Sequence, residues 1–66
     1  MAVAKTIEIV SSSTESIDAA IRDGIAKASE TINGIEGAWV KDTKLIIRDN
    51  KVTEWRVTLK LTFVVS

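Results

Sequence analysis

From Lys5 to Val10 the chain reads K-T-I-E-I-V, with Ile7 and Ile9 on one side and Thr6 and Glu8 on the other. That two-residue period predicts a half-buried strand over Val3–Val10. The alternation breaks at Ser11, Ser12, Ser13, Thr14 and Glu15. A serine oxygen there accepts from the free amides of a starting helix, and Glu15 favours its positive end. From Glu15 to Asn33 the small and apolar residues Ile17, Ala20, Ile21, Gly24, Ile25, Ala28 and Ile32 recur at spacings of three and four. Charged residues fall elsewhere on the wheel, so the segment predicts a one-faced helix, ended by Asn33 and Gly34. Gly24 costs up to about 1 kcal/mol against Ala inside a helix, and close approach to the sheet is a reason to keep it.

The rest predicts a hairpin: Glu36–Arg48, a two-residue Asp49-Asn50 turn, and Lys51–Val65. With Arg48 facing Lys51 and no irregularity, Trp55, Val57, Leu59, Leu61 and Phe63 share a core face with Ala38, Val40 and Ile46. Gly37, Trp39, Lys41, Thr43, Leu45 and Ile47 then join Val52, Glu54, Arg56, Thr58, Lys60 and Thr62 on the other face.

The last strand has the strongest apolar alternation, which places it in the centre. The first and second strands run the same way on either side of it, in the order 1-3-2. The fold class is α+β: β-α-β-β, a three-stranded antiparallel-type sheet wrapped around one helix. A helix of about 19 residues spans roughly 28 Å, whereas a strand of about 13 residues spans roughly 43 Å. The hairpin overhangs, carrying Leu45, Ile46, Ile47, Val52 and Trp55 beyond the reach of the helix. Neighbouring subunits are expected to cover them.

The size of the chain sharpens that expectation. Sixty-six residues make a single domain, 1–66, with a small core. There is no Cys and no His, hence no disulfide and no ordinary zinc site to staple it. Nine basic residues balance nine acidic ones, which disfavours a dedicated nucleic-acid binder. No apolar run approaches the length of a membrane span and no signal-like segment stands at the start, so the expected location is cytoplasmic.

Catalysis is disfavoured. His and Cys, the usual acid–base and nucleophilic groups, are missing, the serines suit helix capping, and the carboxylates are scattered. Gly24, Gly34 and Gly37 stand too far apart for a phosphate loop. The informative group is on the outer sheet face, where Trp39 is expected opposite Lys60 with Lys41 and Arg56 nearby. An indole among cations suits a planar ring with an anionic tail, and equally a subunit interface.

The order strand, helix, long hairpin, with K-T-I-E-I-V-S-S-S-T-E-S-I-D-A-A-I, I-A-K-A-S-E-T-I and the ending E-W-R-V-T-L-K-L-T-F, resembles the dodecin family over nearly the whole chain. The resemblance implies twelve subunits in a hollow shell. In flavin-binding members, isoalloxazine rings are sandwiched between interface tryptophans and hydrogen-bonded by a glutamine. Aligned on Asp42-Thr43 and Trp55, those two positions are Gly37 and Arg56 here. Gly37 has no ring, and Arg56 donates but does not accept. Trp39 is on the same face, displaced by roughly 6.6 Å. The expected function is non-enzymatic binding and storage of a small ligand in a homododecamer. Gly37, Trp39, Arg56 and Lys60 are the expected ligand-binding residues, for FMN or riboflavin held weakly. The alternatives are calcium or phosphate-bearing anions buffered between subunits, or a purely structural assembly.

Overall fold

The computed structural model describes residues 3–65. Its elements are β1 (Val3–Ser13), α1 (Ile17–Ser29), β2 (Ile35–Arg48) and β3 (Lys51–Val65). Both outer strands pair antiparallel with β3, giving the order β1-β3-β2. The order and the central place of β3 follow the sequence reading.

Three boundaries move by two residues or more, and β2 starts one residue early, at Ile35. β1 runs on to Ser13, because Ser11 and Ser13 keep the alternation alive as half-buried residues. Ser16, not the serine run, caps α1: its hydroxyl accepts from the Ala19 amide at 3.0 Å, while Ser13 Oγ accepts from the Glu15 amide. The helix is 13 residues long and stops at Ser29, short of Asn33. Gly34, at φ +78°, shapes the entry to β2 instead, where its carbonyl accepts from the Val64 amide at 3.0 Å.

The hairpin turn is as read: Asp49 and Asn50 both adopt positive φ, 52° and 62°, the pair a tight primed turn requires. The uniform register is not. It slips between Ile35 and Gly37, between Val40 and Asp42, and between Ile46 and Ile47. The second slip leaves Lys41 as an extra residue on β2 and reverses the faces beyond it. Thr43 and Leu45 therefore face Val57 and Trp55, while Ile46 faces Glu54. Ile46 is thus off the core face and Leu45 on it, the reverse of the expectation.

The core is small. Ala20, Val57, Leu59 and Leu61 are buried, with Ile7, Ile9, Ile17, Ile21, Ile25, Ala28 and Ile35 packed around them. α1 packs on β1 and β3, so Ala38 and Val40 lie on the helix side of the sheet but stay exposed, not in the core as expected. Gly24 permits the close helix-to-sheet approach, since a Cβ there would stand 2.8 Å from the Ser11 Cβ.

A 13-residue helix covers roughly 20 Å, whereas the chain is 52 Å long. Leu45, Ile47 and Val52 on the projecting hairpin are exposed, by 47, 58 and 39%. Ile46 and Trp55, also expected to lie bare, are half-buried within the chain.

Candidate functional site

Sheet register builds the site. Lys60 on β3 stands between Glu8 on β1 and Trp39 on β2, and one step along the strands Thr62 stands between Thr6 and Gly37. Alternation puts both rows on one face, opposite the helix-facing Leu59 and Leu61.

Trp39 is 60% exposed. The Lys60 ammonium sits 5.9 Å from its ring centroid, within cation–π range. Beside the indole, Gly37 leaves a gap: a Cβ there would meet Thr62 Oγ1 at 3.0 Å, and the Thr62 hydroxyl donates to the Gly37 carbonyl at 3.3 Å. The result is a backbone floor with one aromatic wall.

The Lys41 bulge re-aims its side chain across β3, where its ammonium donates to Glu8 Oε1 at 2.8 Å. That hydrogen bond, and secondarily the Coulomb attraction of the same ammonium, holds the Glu8 carboxyl below the ordinary glutamate value. The same contact raises Lys41 above the ordinary lysine value. The Lys41 charge is thereby paired, and Arg56 is likewise bonded through Nε to Glu54.

The structure thus brings together Gly37, Trp39 and Lys60. Arg56 is four residues from Lys60 on the same strand, roughly 13 Å away, in a row with Ser12 and Lys44. Sequence reading missed Glu8 and Thr62. Pairing Ile7 and Ile9 with Leu61 and Leu59 would have located Glu8 beside Lys60. Among the described residues no three carboxylates lie close enough together to hold a metal ion within one chain. No described helix is long and apolar enough to cross a membrane.

The fold has close counterparts among solved structures. A dodecin from Streptomyces davaonensis is 31% identical, with 98% of this chain and 96% of that chain covered and a TM-score of 0.93. An arginine-to-alanine mutant of the T. thermophilus dodecin is 30% identical, with 100% and 98% covered and a TM-score of 0.95. The dodecin of Streptomyces coelicolor is 29% identical, with 98% and 93% covered and a TM-score of 0.93. No curated protein matches the chain. The model of the dodecin family matches residues 3–66. This chain belongs to the dodecin family.

Proposed function

We propose that the chain, as a single domain, builds a hollow dodecameric shell. It acts as a non-enzymatic binder that sequesters a small planar ligand at the Trp39 face. A flavin is bound there less tightly than by a dodecin with the sandwiching tryptophan. One observation carries this reading: Trp39 stands exposed beside the ring-less Gly37, with Lys60 next to it.

A planar ring gains about 1 to 3 kcal/mol from each aromatic side chain that stacks on it. Trp39 supplies one such surface, whereas Gly37 supplies none. Lys60 favours an anionic substituent such as a phosphate tail. Arg56 lies along the strand, tied to Glu54, and a guanidinium has no acceptor for a flavin's edge donors. Support for a non-enzymatic role comes from the chemistry of the site: Glu8 and Lys41 are tied to each other at 2.8 Å, and Trp39, Gly37 and Lys60 offer a stacking and charge surface with no acid–base or nucleophilic pair beside it.

Quenching of riboflavin and FMN fluorescence on titration with the protein tests the proposal. Weak quenching that needs a large excess of protein is expected. Tight, near-stoichiometric quenching would overturn the reduced affinity, and calorimetry showing that neither flavins nor nucleoside phosphates bind would overturn the binding role.

A further inference from the structure

At the far side of α1 from β2, an open groove of about 510 Å³ runs between the helix and β1, with Ile9, Gly24 and Ala28 among its walls. It meets, at Asp23, a polar cleft of about 390 Å³ lined by Ser12, Ser13, Glu15 and Glu54, the last bonded to Arg56. Glu15 and Asp23 take part in none of the ion pairs found among the described residues. An apolar groove, with Lys27 at its side paired to Glu30, therefore continues into an acidic end whose Glu15 and Asp23 have no ion-pair partner among the described residues.

The projecting hairpin has the reciprocal character. Leu45, Ile47 and Val52 are exposed. Beyond them Arg48 and Lys51 face each other directly across the ladder, and neither takes part in those ion pairs. Like charges directly opposed across strands are destabilising; Asp49 in the turn between them offsets one of the two, and an anionic neighbour relieves the rest. The basic tip lies four residues beyond the Ser13–Trp55 row, roughly 13 Å along β3. It points away from the chain's own cleft.

We infer that the hairpin tip of one copy docks on the β1–α1 groove of a second copy, with Arg48 and Lys51 meeting Glu15 and Asp23 and the apolar residues of the two surfaces covering each other. Donor and acceptor are different patches, so the contact is heterologous and propagates head to tail into a ring instead of closing as a twofold pair. This rests on the shell proposed above and names a contact that builds it.

Charge exchange tests it. Glu15→Lys with Asp23→Lys reverses the cleft, and Arg48→Glu with Lys51→Glu reverses the tip. Each double variant is expected to raise the concentration at which the assembly half-dissociates by about tenfold or more. The quadruple variant, or an equimolar mixture of the two doubles, restores it. Unchanged dissociation in both doubles, or a quadruple variant no better than the worse double, would overturn the contact.

A second arm does not depend on the doubles folding well. The chain has no native cysteine, so Asp23→Cys with Lys51→Cys, treated with a short bismaleimide in the assembled state, is expected to give covalent ladders beyond dimers. Chains that stay unlinked would overturn the contact. Native mass spectrometry of the unmodified protein separates the two levels: an intact dodecamer with neutral charge swaps removes only this contact, whereas a monomer removes the shell as well.

Discussion

Trp39 and Lys60 face each other across the β2–β3 ladder, and the Lys60 ammonium sits 5.9 Å from the indole centroid. The cation occupies one side of a ring that is otherwise largely open to its surroundings. Whatever stacks at this site stacks on that indole, and Gly37 decides whether a second ring helps.

Gly37→Trp is therefore expected to strengthen riboflavin binding by about tenfold or more, the equivalent of one added stacking contact. The new Cβ meets only Thr62 Oγ1, at 3.0 Å, and a shift of a few tenths of an ångström, at the expense of the Thr62 bond to the residue-37 carbonyl, makes room for it. Fluorescence titration of the variant against the parent reads the gain. Equal affinities would show that the missing ring does not limit binding.

Gly24→Ala is expected to lower the melting temperature. The gain in helix propensity, about 1 kcal/mol, is outweighed by a methyl group set 2.8 Å from the Ser11 Cβ and 3.4 Å from Leu59 Cδ1, overpacking that costs about 1 to 3 kcal/mol. Adding Ser11→Gly removes the nearest obstacle and should recover part of the loss. A Gly24→Ala protein as stable as the parent would show that the helix is free to lift.

The Glu8–Lys41 pair has a pH signature. Glu8 titrates below its unfolded value, so its contribution is present above the ordinary glutamate range and fades as pH falls through the folded value. Lys41 titrates above its unfolded value, so its contribution is full below the ordinary lysine range and is lost as pH rises through the folded value. Both groups are exposed, and screening keeps the effect small. NMR titration of the Glu8 carboxyl carbon should show its midpoint rising in Lys41→Met. An unmoved midpoint would mean that Lys41 does not hold Glu8 in solution.

Asn50→Val should weaken the hairpin, because Asn50 holds φ at 62°, a conformation that Asn tolerates and a β-branched residue resists. Asn50→Gly should do the reverse. Thermal melts of both variants check the sign, and a Val variant as stable as the parent would contradict the turn geometry.

The hairpin, its turn and the Trp39–Lys60 row were legible because each rests on strict alternation anchored by a turn with one plausible chemistry. The face switch at Lys41 was not legible. A lysine is at home on either face, so an extra residue there leaves no mark on the hydrophobic pattern. The helix end misled for a related reason: Ile32 continues the spacing set by Ile25 and Ala28, yet it lies beyond the last helical turn. Between Ser11 and Ser16 any hydroxyl fits a cap, and only the path of the backbone selects Ser16. Exposure of Ala38 and Val40 depends on how far a short helix reaches sideways, which no periodicity records.

All of these features converge on a chain whose described residues bury a small core of Ala20, Val57, Leu59 and Leu61, and on an apolar hairpin that its own helix leaves bare. Native mass spectrometry of freshly purified protein, with sedimentation at micromolar concentration, measures the consequence most directly. Particles of twelve chains are the expected result, and a stably folded 7.2 kDa monomer would contradict it.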